Sequence, residues 1–320
     1  MQLWRGHETV PGGWGRSVIT IGVFDGVHRG HQATIGHAVR RARELGVPSV
    51  VLTFDPHPAE VVRPGSHPAV LTEPARKAEL IEALGVDVLC VVPFTPEFSR
   101  LPAEEFVHDV LVEHLHALLV VVGENFRFGY KAAGDVALLT RLGRRFGFRL
   151  ESAPLLGADT AGADTVVSST YIRACVDAGD VVTAAVALGR PHRVEGVVIR
   201  GDQRGRELGY PTANLMTHRY AAVPADGIYA ARLVRRSPGA AGSGVGEVLP
   251  AAVSIGTNPT FAGRERRVEA FVLDFEGDLY GERVALDFVA RLREQRRYDR
   301  VEDLVAQIAD DVARTRELLA

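Results

Sequence analysis

Gly22–His31 reads GVFDGVHRGH and directly follows the strand-like run Val18-Ile19-Thr20-Ile21. An apolar strand enters a glycine-rich turn, two histidines sit three residues apart, and Gln32–Leu45 has helical character. This order brings His28, His31 and free backbone N–H groups to a helix N-terminus. Such an end carries partial positive charge and unpaired donors, and so attracts phosphate. Gly22, Gly26 and Gly30 let the backbone approach a bound group closely, and Phe24 and Asp25 lie within the same turn. A lone HxxH pair is usually incidental, but the full string immediately after a strand is not.

Working outward, the first half of the chain alternates. Strand-like runs fall at Val18–Gly22, Val50–Phe54, Val86–Val92, Leu118–Val122 and Phe148–Ser152. Helical segments fall between them, at Gln32–Leu45, Glu73–Leu84, Ala103–His114 and Asp135–Phe146. The strands are short, continuous and rich in Val, Ile and Leu, as strands buried on both faces of a parallel sheet are. The pattern predicts an α/β doubly wound parallel sheet, in which ligands bind at the carboxyl ends of the strands. The GVFDGVHRGH loop, the Asp55-Pro56-His57-Pro58 turn and the Gly123–Tyr130 loop all follow strands and should open on one edge.

The pattern changes near Ala178–Arg190. Helical pieces at Ser169–Ala178 and Val181–Leu188 give way to strand-like runs at Arg193–Arg200, Ile228–Leu233, Ala251–Ile255, Arg267–Phe275 and Glu282–Ala290. These predict a compact antiparallel β-barrel. Gly239–Gly246 reads as a flexible hairpin loop. Val301–Leu319 has Val301, Leu304, Val305, Ile308 and Val312 at helical spacing, which predicts a terminal amphipathic helix packed on the barrel. Two domains follow, residues 1–186 and 187–320.

A chain of 320 residues is long enough for two cores. Net charge is −3, which argues against a general nucleic-acid binder. The basic stretches Arg264–Arg267 and Arg291–Arg297 each include a Glu and read as solvated surface. Cys90 and Cys175 belong to no CxxC or Cys/His cluster, so neither structural zinc nor a disulfide framework is expected. With no apolar leader and no long apolar run, the expectation is a cytoplasmic protein without membrane contact. Oligomeric state is not readable.

Three stretches, in order, carry a resemblance. Gly22–His31 resembles the nucleotidyltransferase signature of the bacterial bifunctional riboflavin kinase/FAD synthetases. Ser168-Ser169-Thr170-Tyr171-Ile172-Arg173 resembles the SSTxIR signature of the same superfamily, and Gly209-Tyr210-Pro211-Thr212-Ala213-Asn214 resembles the GxPTAN motif of riboflavin kinases. The resemblance spans nearly the whole chain. It implies two ATP-dependent reactions: phosphorylation of riboflavin to FMN, and adenylylation of FMN to FAD with release of pyrophosphate.

By this resemblance His28, His31 and Arg173 serve adenylyl transfer, with Ser168, Ser169 and Thr170 helping to grip ATP phosphates. An arginine fork suits that task because its donors are planar and bidentate. Gly123–Gly134 resembles the family's flavin-proximal loop, with Asn125 as a flavin contact; Phe126 and Phe128 are open between a flavin ring and the core. Thr53–Pro58 (TFDPHP) resembles a segment near the flavin phosphate, which nominates Asp55 and His57. As a bare motif it is only a turn. His108, His114 and His116 are assigned no ligand role.

In the second half, Gly201, Gly205 and Gly209 are spaced four apart in a segment suited to folding over phosphates. No Walker A string occurs, so a kinase here is of another structural class. The resemblance makes Thr212 and Asn214 supports for Mg²⁺ bound to ATP, consistent with that ion's preference for hard oxygen ligands. It makes Glu269, in Arg267-Val268-Glu269-Ala270-Phe271, the base that accepts the proton of the riboflavin 5′-hydroxyl. Ser254–Phe261 and Leu273–Gly281 also match and are assigned no catalytic step. Two competing readings are a single-activity nucleotidyltransferase with an attached binding barrel and a non-catalytic flavin-binding protein. The PTAN and Glu269 segments argue against the first, and candidate phosphate grips in both halves argue against the second.

Overall fold

Strands buried on both faces decide the first half of the molecule. All five residues of Ser17–Ile21 are buried, as are the first five of Ser49–Asp55. In this computed structural model residues 1–157, 166–201, 204–235, 246–260 and 263–320 are described. The chain divides into two units, Met1–Pro68 with Pro74–Ser168, and Ala69–Glu73 with Ser169–Ala320.

The first unit runs β1 (Gln2–Arg5), β2 (Ser17–Ile21), α1 (Arg29–Leu45), β3 (Ser49–Asp55), α2 (Pro58–Val62), α3 (Pro74–Glu82), β4 (Val88–Pro93) and α4 (Ala103–Glu105). A π-helical segment, Phe106–His114, continues α4, and β5 (Ala117–Gly123), α5 (Val136–Phe146) and β6 (Arg149–Ala153) follow. The sheet order is β1-β4-β3-β2-β5-β6 with every pair parallel. The doubly wound reading holds, with one addition at the edge. In β1 only Trp4 is buried, so no apolar run announces the strand; its indole meets Trp14 edge-on at 4.7 Å.

The chain winds from β2 through β3 to β4 in one direction and from β5 to β6 in the other. The reversal point therefore lies between β2 and β5, which pair directly. Loops leaving these strands share the carboxyl edge, where crevices form in such sheets. α1 is held by Ile35, Ala38, Val39 and Ala42 on its buried face and stops at Gly46 in the left-handed conformation, φ 66°.

The second unit opens with α6 (Ser169–Asp177) and α7 (Val181–Leu188). β7 (His192–Ile199), α8 (Arg204–Glu207), β8 (Thr212–Thr217), β9 (Gly227–Arg235), β10 (Val248–Thr260), β11 (Gly263–Val272), β12 (Arg283–Arg293) and α9 (Val301–Leu319) follow. The strands close into a barrel in the order β10-β11-β8-β7-β12-β9, all antiparallel. Tyr229, Leu233, Val253, Leu286 and Phe288 are among its buried core side chains. Ala69–Glu73 belongs to this unit: Val70 donates its N–H to Tyr220 O at 2.6 Å, and Ala222 N–H donates to Val70 O at 2.9 Å. The glycine-rich stretch at 239–246, except Gly246, lies outside the described residues, as do Phe261, Asp202 and Gln203.

Two expectations need correction. Val301 is 58 % exposed and leaves the barrel-facing stripe, whereas Asp311 and Thr315 are buried on α9. Arg291–Arg297 is also not all solvated surface. Arg291 donates to Asp226 O at 2.7 Å, and Arg293 grips Asp311 through Nε at 3.0 Å and Nη2 at 2.7 Å. Their helical and charge patterns did not reveal that an arginine on β12 reaches under α9.

The Arg293–Asp311 pair is 13 % and 4 % exposed, so removing one partner strands a charge away from water. Asp311→Ala is expected to destabilise the barrel by about 3 kcal/mol. Urea unfolding of the full chain, followed by a probe in the second unit, should show the loss as an earlier transition.

Candidate functional sites

His28 is the N-cap of α1, and its Nδ1 accepts from His31 N–H at 3.3 Å. An accepting Nδ1 puts the proton of a neutral ring on Nε2, leaving that atom as a donor. The two imidazoles stack with centroids 3.6 Å apart and planes 22° apart, and the Phe24 ring meets His31 edge-on at 5.2 Å. Rings this close do not both carry charge readily. Burial pushes the His31 pKa well below its ordinary value, and the charges of His28 and Lys77 push it in the same direction. His31 Nδ1 is shielded from solvent and has no hydrogen-bond partner among the described residues.

The turn before the helix is strained. Phe24 and Val27 have φ of 51° and 39°, and Gly26 has φ of 85°; positive φ is costly for the two that carry side chains. Asp25 and His28 are both buried. Gly30 packs closely against the His28 ring: a Cβ there would lie 3.2 Å from Cε1 and Nδ1, so the ring would have to shift by a few tenths of an ångström. Gly22 lies under the Phe24 ring, 3.0 Å from where its own Cβ would be. Thr53 Oγ1 donates to Val23 O at 3.0 Å, tying the turn to β3.

The other nominated residues of the first unit spread along the same edge. Asp55 is the exposed last residue of β3, and its carbonyl accepts from Phe94 N–H at 3.0 Å. His57 caps α2, its Nδ1 accepting from Ala59 N–H at 3.0 Å. Asn125 is exposed in the turn after β5, closed by Phe126 N–H to Gly123 O at 3.0 Å. Phe128 belongs to the core, while Phe126 is half-buried and stacks on it at 5.5 Å. Ser168 ends the first unit; Ser169, Thr170 and Arg173 lie on α6 of the second. Arg173 Nε donates to Ala69 O at 2.6 Å.

Sequence reasoning missed Lys77. Its Nζ lies 3.3 Å from Val23 O and 3.4 Å from Thr53 Oγ1. The signal was present: Lys77 shares a face of α3 with Leu80 and Ile81, so a lysine occupies an apolar stripe. Burial lowers its pKa, opposed by the carboxylates of Asp25 and Asp55.

In the barrel the register does the positioning. Asn214 of β8 stands directly opposite Glu269 of β11, and Thr212 opposite Phe271. Side chains alternate along a strand. Ala213, Leu215, Val268 and Ala270 pack in the barrel core, so Thr212, Asn214 and Glu269 share the opposite face. A directly opposed pair has Cβ atoms about 4.5–5.5 Å apart. The PTAN motif is thus strand from Thr212 onward, an element absent from the sequence-based strand assignments. Gly201 ends the preceding segment against it, and a Cβ there would lie 2.4 Å from Asn214 Nδ2. Gly205 sits in α8, where a Cβ would meet Tyr210 O at 2.4 Å, and Gly209 has φ of 82°. A cavity of about 470 Å³ is lined by Arg206, Thr212, Ala213, Ala270, Phe275 and Tyr280 among others; Thr212 reaches it, whereas Asn214 and Glu269 do not line it.

The first unit thus presents a donor-rich helix end with histidines and a cation, and the second a carboxylate opposite an amide. Sequence comparison joins the two. A sequence model of the FAD synthetase family matches residues 12–171, and one of the riboflavin kinase family matches residues 188–319. Proteins named bifunctional riboflavin kinase/FMN adenylyltransferase are similar from end to end. That of Pseudomonas fluorescens is 39 % identical, covering 100 % of this chain and 98 % of its own. That of Escherichia coli K12 is 35 % identical, covering 94 % and 92 %, and that of Bacillus subtilis 33 %, covering 95 % and 93 %. A crystal structure described as a macrolide-efflux protein from Streptococcus pneumoniae superposes with a TM-score of 0.86 at 30 % identity, over 99 % of both chains. In the present chain, among the described residues, no helix is long and apolar enough to cross a membrane. Both matches in series, and end-to-end identity to proteins bearing both activities in one name, make this chain a member of the bifunctional riboflavin kinase/FMN adenylyltransferase family.

Proposed function

We propose that the chain phosphorylates riboflavin to FMN in residues 187–320 and adenylylates FMN to FAD in residues 1–186, with ATP as donor in both reactions. The observation that carries this reading is the coincidence of two distinct phosphate-handling arrangements with two family matches in series: His28 capping α1 in the first, and Asn214 opposite Glu269 in the second. The buried, unpaired cysteines fit a reducing cytoplasm as the setting.

In adenylyl transfer a phosphate oxygen of FMN attacks the α-phosphorus of ATP. The new P–O bond forms as the bond to pyrophosphate breaks, and the protein must position two anions and meet spreading negative charge. The α1 N-terminus and the Nε2 donor of His28 serve that charge, with His31 neutral beside it. The resemblance of Ser168–Arg173 to the family's signature assigns Arg173, with Ser168, Ser169 and Thr170, to the departing phosphates. Asn125, Asp55 and His57 lie on the flavin side, and the half-buried Phe126 offers a ring face.

In the kinase reaction the riboflavin 5′-hydroxyl attacks the γ-phosphorus, ADP leaves, and Glu269 takes the hydroxyl proton. ATP enters with a divalent ion, assigned as Mg²⁺. Thr212 and Asn214 offer neutral oxygen donors suited to a hard cation that keeps phosphates and waters as its other ligands. When bound, the ion neutralises phosphate charge. Gly201, Gly205 and Gly209 let the backbone close around the nucleotide.

Alanine at His28 or Arg173 is expected to lower FAD formation from supplied FMN by roughly 10²–10³-fold and to spare FMN formation. Asn214→Ala and Glu269→Gln should do the reverse. Chromatographic time courses of riboflavin, FMN and FAD decide it, and loss of both products in every variant would overturn the two-site assignment. Gly201→Ala should act through space alone: its methyl displaces the Asn214 amide, so FMN formation falls at least tenfold while FAD formation from FMN stays at the wild-type rate.

A further inference from the structure

The nucleotide turn has a charged neighbour that no motif includes. Val23 O is gripped from two directions, by Thr53 Oγ1 of β3 at 3.0 Å and by Lys77 Nζ of α3 at 3.3 Å, and Nζ also lies 3.4 Å from Thr53 Oγ1. That carbonyl belongs to the residue just before Phe24, in a turn where Phe24 and Val27 hold positive φ. Strained residues persist only where their surroundings over-determine them, and the Lys77–Thr53 clamp is such a constraint.

An ammonium is an expensive brace in this place. Taking it from water is costly, and burial lowers the Lys77 pKa. A methionine would fill the same stripe of α3 without that cost. The charge is retained beside two carboxylates, Asp25 and Asp55, and within range of His31.

We infer that Lys77 is a positioning residue for adenylyl transfer: its ammonium ties the strained nucleotide turn to β3 and α3. The inference rests on the assignment of the first unit to FAD formation. The groups facing His31 are the Phe24 ring edge, the stacked His28 ring and the Lys77 charge; those acting on Lys77 are Asp25 and Asp55. With Lys77 charged, protonating His31 would set two cations side by side in a poorly solvated pocket. His31 therefore stays neutral, its ring stays stacked on His28, and His28 Nδ1 keeps its bond from His31 N–H. The site then keeps the Lys77 ammonium on the Val23 carbonyl and a neutral His31 ring stacked on His28.

Removing the Lys77 charge removes a like charge from His31, so the His31 pKa rises. The acid limb of FAD formation, where His31 becomes protonated, then moves to higher pH. The test compares full-length wild type, Lys77→Met and Lys77→Arg. It uses NMR titration of the His31 imidazole and the pH profile of kcat/KM for FAD formation, with FMN formation from riboflavin reporting the integrity of the second unit. Lys77→Met should raise the His31 midpoint, shift the acid limb with it and lower kcat at least tenfold; Lys77→Arg, which keeps the charge, should leave the midpoint and limb in place. A Lys77→Met protein whose midpoint and acid limb coincide with wild type would overturn the proposal, as would a Lys77→Arg protein that matches Lys77→Met in every readout. If wild type itself makes no FAD, the activity assignment fails instead, and the His31 titration decides the role of Lys77 alone.

Discussion

Parallel pairing between β2 and β5 is the constraint on which the first site depends. Because both strands run the same way and the chain reverses its winding between them, the segments leaving Ile21 and Gly123 emerge side by side. Only seven residues separate β2 from α1, so the start of the helix faces the same edge. Crossing that short gap accounts for the positive φ at Phe24 and Val27, the His28 cap, and the close packing of Gly30 beside the ring. The carbonyl clamp at Val23 ties the turn to β3 and α3, and the His28 cap and the stacked rings hold the histidines.

The barrel solves its problem by the opposite pairing. In antiparallel strands a one-residue slip would turn every side chain to the other face, and the buried run Val268, Ala270 and Val272 forbids such a slip. That apolar register is what holds Glu269 opposite Asn214. Packing deep in the barrel therefore specifies a polar pair on its outer face, and the close approach of Gly201 to the Asn214 amide fixes the amide itself.

Much of this was legible in residue order, for identifiable reasons. The central strands of the sheet are continuous aliphatic runs, and a glycine-rich turn between such a run and a helix has few other meanings. What escaped lacked a periodic signal. β1 has one buried residue in four. β8 was hidden because Thr212–Asn214 read as motif before it read as strand. Arg293 looked like part of a charged surface run, although its partner Asp311 lies on the following helix, where pattern alone shows only a break in the apolar stripe. Lys77 was the reverse case, a charge inside an apolar stripe. Such violations of pattern are where function or a buried pair should be sought.

The two arrangements differ in a way that suits their separate reactions. An FMN phosphate is already ionised and already a nucleophile, so on the proposed assignment the first site has no proton to remove and is built from cation, helix end and neutral imidazole. A primary hydroxyl is a poor nucleophile until its proton is taken, so the second site needs a base, and on the proposed assignment Glu269 supplies it. Beside the α1 N-terminus a further carboxylate would oppose the incoming phosphates, and the two acids present, Asp25 and Asp55, lie where their charge acts on Lys77. A single pocket would have to serve as both anion cradle and general base toward the same nucleotide. Dividing the chemistry between a parallel sheet edge and an antiparallel barrel removes that electrostatic conflict.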